Sequence, residues 1–122
     1  MLRRIFIISS MSWIFSSNIL FPKATDVKVT EIVVKKRKRR MYLFSGNEII
    51  KSYKIDLGFA PEGHKKFEGD GKTPEGSYKI DRKNRNSKYH LSIGISYPNS
   101  TDQYIAKLKG KLPGGDIFIH GT

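Results

Sequence analysis

The sequence has 122 residues, 38% of them hydrophobic and 11% aromatic, enough apolar content for one small domain and too much for a chain disordered by composition. Its 23 Lys and Arg outnumber its 11 Asp and Glu, and the resulting formal charge of +12 favours anionic partners. It contains no cysteine, which excludes disulfides, thiolate metal sites and a thiol nucleophile from these residues; His64, His90 and His120 lack metal-ligand spacing, so no metal or other cofactor is expected.

At the start of the chain, Arg3 and Arg4 precede an apolar stretch running from Ile5 to Phe21, and Pro22 and Ala24 follow it. This is the layout of an export segment. Residues 1–24 are therefore expected to be a signal peptide or an N-terminal membrane anchor, and residues 25–122 the domain. The arginines would hold the N-terminus in the cytoplasm and place the remainder outside, in the periplasm or cell envelope.

From Val27 to Val34 a β-branched run predicts a strand. Lys35 to Arg40 are six consecutive cations, read as a solvated connection between strands. An anionic envelope surface is the partner such a run suits. Nucleic acid is not expected, because no interleaved aromatic platform accompanies the run. Arg40–Phe44 and Ile49–Leu57 predict two strands joined as a hairpin around Gly46 and Asn47.

Gly58 to Gly76 holds five glycines and two prolines in 19 residues and predicts a long irregular loop, of the kind that is functional or disordered. Ser77–Ile80 and Tyr89–Tyr97 predict further strands. Asp102–Lys109 predicts a short helix, with Ser100 or Thr101 as N-cap and Gly110 as its stop. Asp116–His120 predicts a last strand. Tyr97 and Tyr104 are read as packing residues, and His64 and His90 as structural residues of loops or surface.

Three stretches carry a resemblance. They are Leu57-Gly-Phe-Ala-Pro-Glu-Gly-His-Lys65, Glu68-Gly-Asp-Gly-Lys-Thr-Pro-Glu-Gly-Ser-Tyr78 and Pro113-Gly-Gly-Asp-Ile-Phe-Ile-His-Gly121, with Leu91–Asn99 between the last two. In that order they resemble the YkuD-type L,D-transpeptidase catalytic domain, in the branch of YafK-like proteins. The resemblance implies a mainly β, β-sandwich-like domain with one short helix. It implies acyl transfer on peptidoglycan stem peptides in the envelope, in which a cysteine thiolate attacks a peptide carbonyl and an amine or water resolves the acyl-enzyme. It also implies that His120 is the general base and that the Gly121 carbonyl orients its ring, with Gly71, Thr73, Pro74 and Gly76 shaping a loop beside the substrate. Asp70 and Glu75 are not expected to act directly. The family places its nucleophile in a Ser-x-Gly-Cys segment shortly after this histidine, and no such segment occurs in the 122 residues. The chain is accordingly expected to be a partial domain that is inactive by itself, or a non-catalytic remnant that binds the wall.

Overall fold

A computed structural model describes residues 4–8, 27–87 and 90–121. They form a mainly β domain with one helix. The strands are β1 (Arg4–Ile8), β2 (Glu31–Lys35), β3 (Arg40–Ser45), β4 (Glu48–Lys54), β5 (Gly76–Ser87), β6 (His90–Ile95) and β7 (Phe118–His120), and α1 spans Ser100–Leu108 between β6 and β7. The strands make one curled sheet in the order β4-β3-β2-β1-β5-β6-β7.

The β2–β3–β4 meander forms where alternating apolar residues are punctuated by turn residues. Gly46 takes φ +59° in the β3–β4 turn, a left-handed value that glycine adopts without a Cβ clash. The first predicted strand is shorter than expected. Residues 27–30 lie outside the ladder, although Thr30 N–H still donates to the Phe44 carbonyl at 2.8 Å. By contrast, β5 runs seven residues beyond the predicted Ile80. Its polar second half, Asp81–Ser87, has little strand propensity of its own and is held by pairing with β6.

The stretch assigned to export contributes a strand to this sheet. β1 pairs in parallel with β2 and antiparallel with β5, and it turns Ile5 (1% exposed) and Ile7 (5%) inward. They join Ile32, Val34, Tyr78, Ile95 and Tyr97 in the core, with Ile80, Ile117 and Ile119 packed around them. Residues 9–26, the remainder of the signal or anchor reading, lie outside the described residues. No helix among the described residues is long and apolar enough to cross a membrane.

Helix α1 is capped by Asn99 rather than by Ser100 or Thr101. Asn99 Oδ1 accepts from Asp102 N–H at 2.9 Å, and Asp102 Oδ2 accepts from Asn99 N–H at 3.0 Å, a reciprocal capping box. Past the C-cap at Lys109, Gly110 takes φ +66°, as expected of a helix stop. One face of α1 buries Asp102 and Ala106, and Asp102 reaches Tyr78 of β5.

Candidate functional site

His120 is at the end of β7, where it is exposed and lies opposite Ser92 of β6. Its Nδ1 is 2.8 Å from the Gly121 carbonyl oxygen. A carbonyl only accepts, so in the neutral ring the proton is on Nδ1 and Nε2 is the acceptor nitrogen, the tautomer a general base requires. His90 is in β6, and its side chain is not among those described.

The strand that carries His120 is fixed by Arg82 of β5. The guanidinium donates to Asp116 Oδ1 at 3.0 Å and to the Ile95 carbonyl at 2.9 Å, and it lies 5.1 Å from the centre of the Phe118 ring. Gly94 makes this possible, since a Cβ there would come within 2.9 Å of Arg82 Nε and 3.0 Å of the Phe118 ring. Asp116 itself takes φ +51°, a left-handed conformation that redirects the chain just before β7.

The loop over residues 58–76 is held by three buried polar groups, of which the sequence singles out only Asp70, as a loop residue not expected to act directly. The first is Lys36, the second residue of the six-cation run. Its side chain is only 4% exposed, and its ammonium donates to the carbonyls of Gly63 (2.9 Å) and Thr73 (3.0 Å) and pairs with Glu75 Oε1 at 3.2 Å. The expected solvated connection holds for Arg37–Arg40, which are exposed, and fails for Lys36, whose position in β2–β3 points it under the loop.

The second is Asp102, 3% exposed. It accepts from Tyr78 OH at 2.8 Å and lies 2.7 Å from His64 Nε2. On the other side of the His64 ring, Glu75 N–H donates to Nδ1 at 2.8 Å. The amide can only donate, so Nδ1 is unprotonated and Nε2 carries the proton toward Asp102. His64 is thereby a pin between loop and helix, with both nitrogens engaged. Burial first, then the hydrogen bond to Asp102 and the nearby negative charge, push the Tyr78 phenol far above its ordinary range. Burial, followed by the charges of Asp102 and Asp70, pushes Tyr97 up to about 12.

The third is Asp70. One oxygen accepts from Lys65 Nζ (2.9 Å) and Lys72 N–H (3.1 Å), and the other accepts from Lys66 N–H (2.7 Å) and Phe67 N–H (3.2 Å). Burial alone would raise this carboxyl, but the four donors outweigh it and bring it down to about 2. Asp70 is thus ionised and fully engaged in shaping the loop.

The other predicted loop residues follow from this frame. Gly71 takes φ +71°, and the ring of Phe59 occupies the space a Cβ would need. Its carbonyl accepts from Ala60 N–H at 3.1 Å. Pro74 is fully buried, and Gly76 turns the chain into β5 at φ +125°. Thr73 contributes the carbonyl bound by Lys36.

The loop and the strand of His120 are joined by the segment between α1 and β7. Glu68 N–H donates to the Leu112 carbonyl at 2.8 Å, Gly114 packs closely on Glu68, and Tyr97 OH donates to the Pro113 carbonyl at 2.8 Å. Tyr97 is buried, as a packing residue should be, whereas Tyr104 is 62% exposed and is not one. The outer face of α1 has no neighbour among the described residues to cover it. Nor do any three described His, Cys, Asp or Glu side chains converge as metal ligands. Of the groups missed in the sequence, only Asp102 had a local signal, the Asn99-x-x-Asp102 capping pattern.

Comparison with known proteins gives a family model and two relatives. The model for the L,D-transpeptidase catalytic domain, YkuD, matches residues 29–122. Two curated proteins named "Putative L,D-transpeptidase YafK", from Escherichia coli strain K12 and from Escherichia coli O157:H7, are each 32% identical over 95 residues, which is 75% of this chain. The aligned region is 37% of each relative's own length. No solved structure matches the chain.

Proposed function

Because the chain belongs to the L,D-transpeptidase catalytic-domain family, we propose that it carries the base-and-loop portion of a cysteine-dependent acyl transferase acting on peptidoglycan stem peptides. In this reading His120 Nε2 takes the proton of an attacking thiol, and the Gly121 carbonyl holds the imidazole in the required tautomer. Gly71, Thr73, Pro74 and Gly76 form one wall of the substrate cleft. The observation that supports it best is the 2.8 Å contact from His120 Nδ1 to the Gly121 carbonyl at the end of a family-matched strand.

The 122 residues contain no cysteine, and the acyl-enzyme step requires one. We therefore assign to these residues alone no acyl transfer, with the thiol supplied from outside them. Residues 25–122 are proposed as the partial catalytic domain, working in the periplasm or envelope; residues 1–24 are proposed as the export segment only as the alternative to the β1 role of Arg4–Ile8, since the two exclude each other.

The test has two arms. The 122-residue protein, incubated with a tetrapeptide donor, should give no acyl adduct by intact mass and no released D-residue. The downstream nucleotide sequence should encode a Ser-x-Gly-Cys run in some frame. A protein extended to include that run should form the adduct, and His120→Ala in the extended protein should abolish it. Turnover by the 122 residues unaided would refute the assignment. Failure to find the run, together with retention on isolated peptidoglycan, would favour a non-catalytic wall-binding remnant.

A further inference from the structure

Helix α1 is apolar on the wrong side for a helix that only supports a sheet. Its inner face already buries Asp102 and Ala106. On its outer face Tyr104 (62% exposed) and Leu108 (69%) are one turn apart, the spacing that places two side chains together. Leu112 (71% exposed) follows just beyond the helix and lines the same open groove, of about 490 Å³, as Tyr104, Lys107 and Lys111. These are three of the five large apolar side chains exposed among the described residues. They are interleaved with Lys107, Lys109 and Lys111, all exposed, and no acidic residue occurs from Gln103 to Gly115. On the neighbouring loop the acid beside this segment is Glu68, whose backbone N–H donates to the Leu112 carbonyl.

Alternating lysines and exposed leucines, with a tyrosine beside them, are what an anionic bilayer surface binds. The ammonium groups face the headgroups while the apolar side chains enter the acyl boundary. A hydrated polyanion would use the lysines but leave the leucines exposed to water. We propose that the outer face of α1 and the following turn, from Tyr104 to Leu112, docks on an anionic phospholipid membrane surface. The proposal does not rest on the acyl-transfer reading, since none of these side chains contacts His120; Lys111 alone reaches the loop, its ammonium 3.9 Å from the centre of the Phe67 ring.

The absence of cysteine permits a local readout. In the full chain, Leu112→Cys is labelled with a polarity-sensitive fluorophore, and Lys38→Cys in the exposed basic turn is labelled as the control. With phosphatidylglycerol-containing vesicles the label at 112 should shift to the blue and the label at 38 should not. Neutral phosphatidylcholine vesicles should leave both unchanged, which separates this face from any insertion of the apolar N-terminal segment. Each lysine near such a surface contributes about fivefold, so Lys107→Glu, Lys109→Glu and Lys111→Glu together should weaken vesicle binding roughly 100-fold or more. Leu108→Ser, which leaves charge unchanged, should weaken it several-fold. All these positions are exposed, and unchanged circular dichroism confirms the fold of each variant. A shift at 38 without one at 112 would overturn the proposal. So would vesicle binding indifferent to Leu108→Ser, or binding to soluble polyglycerol phosphate in place of vesicles.

Discussion

Replacing Lys36 by methionine keeps the aliphatic stem and removes the ammonium. What is lost is two charge-assisted hydrogen bonds, to the Gly63 and Thr73 carbonyls, and the ion pair with Glu75. Bonds to charged groups contribute about 1.5–3 kcal/mol each, while the ammonium no longer has to be desolvated. Removing one partner of a buried pair costs about 3–5 kcal/mol, but the Glu75 side chain is 21% exposed and can turn to water, which discounts the figure. The expected loss is about 2–4 kcal/mol, a large share of the ~5–15 kcal/mol that holds a domain. Arg37→Ala and Lys38→Ala, in the same run but exposed, should each change stability by less than about 0.5 kcal/mol. Urea unfolding followed by circular dichroism gives all three values, and limited proteolysis should show earlier cleavage in residues 58–76 of the Lys36 variant only. If Lys36→Met matched Arg37→Ala within error, the loop would not depend on the ammonium and the assignment of Lys36 as its anchor would be wrong.

Asp102→Ala deprives Tyr78 OH, Asn99 N–H and His64 of one common acceptor and should cost about 3–5 kcal/mol; a loss no greater than that of Tyr78→Phe would show that the carboxylate is not the hub. Asp70 is lowered from 3.8 to about 2 in the folded protein, so its contribution is complete above the unfolded value and disappears as pH falls through the folded one. Roughly 2 kcal/mol should be lost between about pH 4 and pH 2, and Asp70→Asn should flatten that limb of a stability–pH curve. Arg82→Ala removes a side chain that is 40% exposed, so global stability should change by only about 1 kcal/mol, while amide exchange should accelerate selectively over Phe118–His120. Ile5→Ala should cost about 2–4 kcal/mol in chemical unfolding, and an unchanged midpoint would mean that the sheet folds without β1.

Sequence and structure agree where local preference and tertiary need coincide. The β3–β4 hairpin was readable from apolar strands around Gly46 and Asn47, and the helix from its turn-like approach and its glycine stop. The long loop was readable as a loop, but what holds it was not. Lys36 is one of three lysines in the cationic run and carries the same ammonium as Lys35 and Lys38, and only the path of the chain between β2 and β3 distinguishes it. Asp81–Ser87 has the composition of a turn and becomes strand because β6 offers a ladder, a preference that no local pattern encodes. The geometry beside His120 was legible through family resemblance, whereas Arg82, Gly94 and Asp116, which position its strand, were not, because they meet only when β5, β6 and the approach to β7 are brought together.

The N-terminal segment is where one local pattern serves two incompatible ends. The apolar core of an export segment and a strand buried on both edges each require uninterrupted large apolar residues, so the run beginning at Ile5 satisfies both descriptions. What separates them is tertiary. β1 completes two ladders at once, to β2 and to β5, and without it the order β4-β3-β2 and the order β5-β6-β7 share no hydrogen-bonded edge. Ile32 and Val34 on one side and Tyr78 on the other would then lose the Ile5 and Ile7 side chains that close the core between them. A molecule in which Arg4–Ile8 forms β1 cannot also have released those residues. A mature chain beginning at residue 25 therefore needs another strand in that slot, and the N-terminal residue of the folded protein, read by mass spectrometry, decides which of the two roles this segment performs.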